Sequence, residues 1–390
     1  MKGITKTVWI LSLVSLFTDV ASEMLYPIMP VYLKSIGFSV VLIGVLEGIA
    51  EATAGLSKGY FGKLSDVTGK RMPFVQLGYA LSGISRPMMA MFTFPIWIFF
   101  SRTLDRLGKG IRTAARDAIL SDESTKENKG KVFGFHRAMD TTGAFIGPLL
   151  ALLYLYFFPE DYVTLFYIAF IPGVLAVAAS FLLKDKPKAK HPDKPIVKSL
   201  SFLNYWKTAP DQYRKLIIGL LVFTLFNSSD VFLLLKAKES GLSDTMVVGV
   251  YIFYNLIYAL FALPAGIIAD KLNLKTVYIF GLFLFTIVYF GMSMSTNIYF
   301  TLSMFFVYGV YSASTEGISK AWITNIADKK DTATAIGLYT GFQSVCTMLA
   351  SSITGIVWYN FGGFEAFLTT ALMTLMVALY LIMSVPKPEK

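Results

Sequence analysis

A chain of 390 residues that is 55% hydrophobic and only 15% charged, with a mean hydropathy of +0.60, is too apolar for an ordinary soluble domain. The single cysteine, Cys346, excludes an intrachain disulfide framework and any paired-cysteine redox or metal site, and two distant histidines, His136 and His191, argue against a zinc centre. The net charge of +10 is read as lysine and arginine gathered in loops, where they set membrane topology, and no nucleic acid is expected as a partner.

Apolar stretches long enough to cross a bilayer recur from end to end. Twelve are expected, near 8–33, 40–62, 73–93, 95–117, 132–157, 162–183, 214–237, 244–268, 276–294, 298–321, 333–358 and 364–385. Lys2 and Lys6 precede the first, and no small-residue cleavage site follows it, so it is expected as a retained span rather than a signal peptide. Loop charges alternate. One side carries Lys63, Lys70, Arg71, Lys126, Lys129, Lys131, Lys271, Lys275, Lys329, Lys330 and the basic stretch from Lys186 to Arg214; the other has little beyond Lys34 and Lys238. That asymmetry predicts a multi-pass protein of the cell membrane with both termini cytoplasmic.

The stretch "KDKPKAKHPDKPIVKSLSFLNYWKTAPDQYRK" separates six spans from six. The expected organisation is a bundle over 1–184, a cytoplasmic linker over 185–212 and a second bundle over 213–390. The first part of the linker is rich in proline and lysine and reads as flexible. Phe202, Tyr205 and Trp206 suit either a segment on an anionic membrane surface or a simple loop. The halves resemble each other. "GFSVVLIGVLEGIAEATAGLSKGYFGKLSD" and "GLSDTMVVGVYIFYNLIYALFALPAGIIAD" are equally long, with Gly62 matching Gly266 and Asp66 matching Asp270. Two similar halves are a transporter signature.

The segment "GKLSDVTGKR", Gly62 to Arg71 with Asp66, Gly69 and Lys70, resembles at every motif position the loop between helices 2 and 3 of the major facilitator superfamily. The second copy, "GIIADKLNLK", has Asn273 at the glycine position. "GAFIGP", with Gly143, Gly147 and Pro148, resembles part of that superfamily's antiporter motif. The resemblance implies an all-α protein of two six-helix bundles around a central cavity, working by alternating access, with the residues of both motifs and Arg116 in gating. It does not give a substrate.

Charge inside the spans is the remaining clue. In "RTLDRLGKGIRTAARDA", Arg102, Asp105, Lys109, Arg112 and Arg116 follow one helical stripe, with Arg106 beside it. Exposure to lipid would cost about 2.5–3.5 kcal/mol or more per charge near mid-bilayer, so the stripe is expected to face protein or water. Asp19 and Glu23 in the first span, and Glu47 and Glu51 in the second, are pairs four residues apart and each lies on one helix face. These four are the candidate proton carriers, because burial raises a carboxyl pKa and an approaching arginine lowers it. Arg86, Arg102, Asp105, Arg106 and Lys109 are the candidate solute contacts in the first half. In the second half they are Tyr251, Tyr254, Asn255 and Tyr311, with Tyr251 and Asn255 at the repeat positions of Glu47 and Glu51. Mutual pairing of the charges, and packing of the aromatics, are the structural alternatives.

The sequence has no nucleotide-binding loop, no H-E-x-x-H and no G-x-S-x-G, so neither an enzyme nor a cofactor is expected. No filter-like loop points to a channel. The expectation is a monomeric secondary transporter in the lipid bilayer that moves a small organic, ionisable or anionic solute by proton-coupled efflux. The alternative is import of an organic anion by proton symport or uniport.

Overall fold

The structure is a computed structural model and describes residues 3–185, 201–242, 244–294 and 297–386. Among these residues there is no strand. The first span runs Lys6–Leu25, breaks at Tyr26, Pro27 and Ile28, and resumes as Met29–Ser35 (together helix 1). It starts where the Thr5 hydroxyl accepts a bond from the Val8 N–H, 3.3 Å, and breaks where Pro27 cannot donate to the helix. Helix 2, Val40–Thr68, is capped by Ser39 and ends at Gly69, whose φ of +65° is left-handed. The motif glycine is therefore a helix C-cap. Helix 3 spans Met72–Met91, with the Asp185 carboxylate accepting from the Arg71 and Met72 N–H groups at its start, 3.0 and 2.9 Å. Helix 4 is Pro95–Asp122, helix 5 Lys129–Phe157 and helix 6 Tyr162–Ser180.

Most of the linker, including Lys186 to Lys198 and His191, lies outside the described residues, as does the end of the C-terminal tail. Residues 201–208 are helical, with Phe202 and Tyr205 buried against the protein. The Phe202 ring occupies the space that a side chain at Gly59 of helix 2 would take. These two aromatics therefore neither lie on a lipid surface nor form a simple loop, because the bare backbone at Gly59 gives the ring a seat.

Helix 7 runs Asp211–Phe226, is interrupted at 227–230, and continues Val231–Glu239. Helices 8 to 12 are Asp244–Lys271, Leu274–Met294, Ile298–Ile326, Thr332–Phe361 and Gly363–Ser384. Twelve transmembrane helices result among the described residues. Seven are long and apolar enough to span by composition alone: helices 1, 5, 6, 7, 8, 9 and 12. The other five carry embedded charges or many small and hydroxyl side chains, which protein neighbours rather than lipid can accommodate. Exposed Ile96, Phe157, Phe181, Tyr359 and Met383 are the kind of apolar surface a bilayer covers.

The helices pack into two compact units. The first comprises Met1–Glu123, Met139–Lys207 and Asp328–Gly341; the second comprises Ser124–Ala138, Thr208–Ala327 and Phe342–Lys390. The first turns of helix 11 thus belong to the first unit, and the first turns of helix 5 to the second. The first unit has an apolar core around Met24, Tyr32, Leu33, Met89, Ile98 and Phe166, tied by a bond from the Tyr32 hydroxyl to the Met89 carbonyl, 3.0 Å. The core of the second is aromatic, with Phe285 stacked on Tyr289 at 4.2 Å and edge-on to Phe223 at 5.1 Å.

Candidate functional site

Glycines let helix 4 enter the first unit with little separation from its neighbours. A Cβ on Gly108 would lie 2.6 Å from the Gly78 carbonyl of helix 3, and one on Gly110 would lie 2.5 Å from Ser57 of helix 2. The charges interleaved with these glycines are thereby held between helices 1, 2 and 3. They converge on a pocket of about 60 Å³ lined by Asp19, Glu23, Arg86, Arg102, Asp105, Arg106, Lys109 and Arg112, with Ser22, Tyr26 and a few apolar side chains. Almost every candidate from the first half meets here. Glu47 and Glu51 reach it through their ion pairs.

Arg102, buried, forks onto Glu47: Nε to Oε1 at 2.7 Å and Nη2 to Oε2 at 3.0 Å. Its Nη1 lies 3.5 Å from Asp105. Arg106 lies farther from its acids, 3.7 Å from Glu47 and 4.0 Å from Glu51. Arg86 donates to the Thr18 carbonyl and the Ser22 hydroxyl of helix 1, 3.3 and 3.0 Å. Arg112 donates to the Ser82 hydroxyl, 2.7 Å, and lies over the Tyr79 ring at 4.7 Å. Arg116 binds the fully buried Asp117, 2.9 Å, and the Ser15 hydroxyl, 3.2 Å. The "GAFIGP" stretch bears directly on the acids: a Cβ on Gly143 would meet the Leu16 carbonyl at 2.6 Å and Asp19 at 2.9 Å, and one on Gly147 would meet the Val20 carbonyl at 2.6 Å.

The two loop-motif carboxylates act as helix caps. Asp66 Oδ2 accepts from the N–H and hydroxyl of Thr334, 2.7 and 2.8 Å, at the start of helix 11. Its Oδ1 pairs with Arg71, 3.2 Å, which reaches Asp122 at the end of helix 4, 2.6 Å. Negative charge at a helix N-terminus satisfies orphan N–H groups and opposes the helix dipole favourably. Helix 11 comes close enough because its Gly337 sits on the Lys58 carbonyl and Gly59, and its Ala333 carbonyl occupies the space beside Gly62. The second unit repeats the device: Asp270 accepts from the Gly130 and Lys131 N–H groups at the start of helix 5, 2.7 Å each, where Gly266 lies on the Gly130 backbone. Lys70 is exposed. The motif does not draw in Arg116, whose fork is on Asp117.

In the second unit Tyr254, Tyr311 and Asn255 are buried. Tyr254 and Tyr308 lie 5.0 Å apart, Tyr308 and Tyr311 5.3 Å, and Asn255 donates to the Tyr251 carbonyl, 3.0 Å. Tyr251 is half-buried. The Tyr308 hydroxyl donates to Asp230 at the break in helix 7, 2.6 Å, and Asn227 in that break donates to Tyr311, 3.2 Å. Glu316 pairs with Arg137, 3.5 Å, which also donates to Tyr258. Thr334, Asp122, Asp185, Ser15, Ser22 and Phe202 were not legible as partners. The threonine and acids of "DKKDTATA" do mark a helix start, but not which carboxylate caps it.

The sequence profile described as Major Facilitator Superfamily matches residues 11–254 and 216–390. An MFS-type transporter of Methanocaldococcus jannaschii, itself described as uncharacterized, is 31% identical over 363 residues, which is 92% of this chain and 89% of the relative. The quinolone resistance protein NorA of Staphylococcus aureus is 27% identical over 164 residues, 42% of this chain and 41% of NorA. Among solved structures, the human organic anion transporter MFSD10 (TETRAN) aligns with a TM-score of 0.79 over 96% of this chain and 98% of its own. The proton:xylose symporter XylE aligns with a TM-score of 0.75 over 99% and 97%. Both are 16% identical to this chain and share its fold.

Proposed function

The chain belongs to the major facilitator superfamily and is a multi-pass membrane transporter, and on that premise we propose that it moves a small organic solute with an ionised, anionic group across the cell membrane by alternating access, coupled to protons and in the direction of efflux. The observation that carries this reading is the pocket in which five bases and several carboxylates converge inside transmembrane helices. Charges this deep are costly, pair with one another, and mark the paths of solutes or protons through transmembrane helices. The resemblance of Gly143, Gly147 and Pro148 to the antiporter motif supports exchange, and the partial relationship to NorA supports efflux. The arginines support an anionic solute. Import of an organic anion with protons is the second reading, favoured by the same arginines.

In the proposed cycle the halves 1–184 and 213–390 rock about the linker 185–212, as a monomer with both termini cytoplasmic. The Asp66 and Asp270 caps hold one end state, with Gly62, Gly69, Lys70 and Arg71 shaping the first. A carboxylate among Asp19, Glu23, Glu47 and Glu51 carries the proton. Of these, Glu47 has both its carboxylate oxygens in the fork of Arg102. Solutes that raise the melting temperature of purified protein are tested in proteoliposomes loaded with a pH dye. Wild type is expected to show solute-dependent proton movement. One of Asp19→Asn, Glu23→Gln, Glu47→Gln or Glu51→Gln should keep exchange but lose that movement. Transport without proton movement in wild type, or coupling intact in all four variants, overturns the coupling.

A further inference from the structure

The five bases of the pocket are not equally available. Arg102 has Glu47 in its fork. Arg86 is committed to Thr18 and Ser22 of helix 1. Arg112 is committed to Ser82 and the Tyr79 face. Among the described residues Arg106 makes no hydrogen bond: its ion-pair neighbours Glu47 and Glu51 stand at 3.7 and 4.0 Å, and its buried Nε has no hydrogen-bond partner. Among the described residues no carboxylate stands within ion-pair distance of the Lys109 ammonium. A guanidinium carries five N–H donors and an ammonium three. Leaving them unmade inside a protein is expensive unless water or a ligand completes them. Arg106 and Lys109 are three residues apart, on one face of helix 4, and both line the pocket.

Resting on the reading of this pocket as the solute site, we propose that Arg106 and Lys109 together receive the anionic head of the solute, that this head is a compact monoanion of the carboxylate type, and that Arg102 is a positioning residue held by Glu47. The size supports a head group: about 60 Å³ holds a few water-sized groups at about 10–15 Å³ each. The charge count supports a monoanion. Arg86, Arg102, Arg106, Lys109 and Arg112 face Asp19, Glu23 and Asp105 in the lining, with Glu47 and Glu51 as ion-pair partners, so five bases meet five acids. One added negative charge can be offset by one proton, whereas a dianion needs two in a site of low dielectric.

The test uses benzoate, its neutral counterpart benzamide, and the dianion phenylphosphonate as probes of the purified full chain, read by tryptophan fluorescence and by shift of Tm. Benzoate is expected to bind at least about tenfold more tightly than benzamide, the scale of one charge-assisted contact, and more tightly than phenylphosphonate. Arg106→Gln and Lys109→Gln should each abolish that preference. Arg106→Lys should retain part of it. Equal binding of benzoate and benzamide by wild type, or a preference that survives both glutamine variants, overturns the assignment. A preference for phenylphosphonate overturns the monoanion. Benzoate counterflow in proteoliposomes separates this from the transport reading. Anion preference without counterflow leaves the subsite standing and removes such anions as the transported solute; counterflow undiminished in both glutamine variants removes the subsite and leaves anion transport.

Discussion

Replacing Asp66 with asparagine tests the capped end state most directly. The carboxylate accepts two bonds from Thr334 and pairs with Arg71, and its side chain and that of Arg71 are only 4% and 5% exposed, so solvent screens little of the interaction. A hydrogen bond to a charged group contributes about 1.5–3 kcal/mol, and a charge at a helix N-terminus about 0.3–1 kcal/mol. Asparagine keeps an acceptor for Thr334 but loses the charge facing Arg71 and the helix end. The net weakening is then about 2–3 kcal/mol, or roughly a 30- to 150-fold rise in the population with helix 11 detached. The assay is maleimide labelling of Ala333→Cys on a Cys346→Ser background, since Ala333 is fully buried beside Gly62. Labelling should accelerate at least about tenfold in Asp66→Asn, in line with that population shift, while solute binding in detergent persists. If labelling stays within about twofold of wild type while transport falls and folding is normal, Asp66 does not hold this state and the capping argument fails.

Gly62→Val should act on the same state by sterics: a Cβ there meets the Ala333 carbonyl at 2.5 Å and Ala114 at 3.0 Å, so Ala333→Cys should label at least as fast as in Asp66→Asn. Asp270→Asn should have a milder effect, about 1–2 kcal/mol, because Asp270 caps helix 5 through main-chain N–H groups; maleimide labelling at a buried helix 5 position such as Val132→Cys checks it. Arg102→Lys keeps the charge but loses the fork on Glu47, costing about 1.5–3 kcal/mol, and should slow counterflow about tenfold or more; unchanged counterflow would mean that the Arg102–Glu47 geometry is not needed. Phe202→Ala empties the seat over Gly59 and, at about 3–5 kcal/mol for a buried phenylalanine, should release residues 201–208, read as faster tryptic cleavage after the exposed Lys207.

Local pattern determined much of this protein. Long apolar runs in a chain with so little charge leave helices as the spanning structure. Matched half-sequences placed Gly62 with Gly266 and Asp66 with Asp270, and both carboxylates turn out to cap a helix. Gly69 stood out as a position of the loop motif, and its positive φ ends helix 2. The stripe on helix 4 was legible because helical periodicity fixes which residues share a face.

Periodicity does not say what stands opposite that face, and there the tertiary structure decided. Arg116 could have met Asp66 but binds Asp117. Glu316, four residues before Lys320, pairs with Arg137. Tyr254, Tyr311 and Asn255 point into the packing of the second unit, and the breaks in helices 1 and 7 were absent from the hydropathy. Asp66 meets a threonine 268 residues away. Partners at such separations depend on how closely two helices can approach. That is set by glycine-against-backbone contacts such as Gly62 with Ala333 and Gly108 with Gly78, which exist only once both helices are in place.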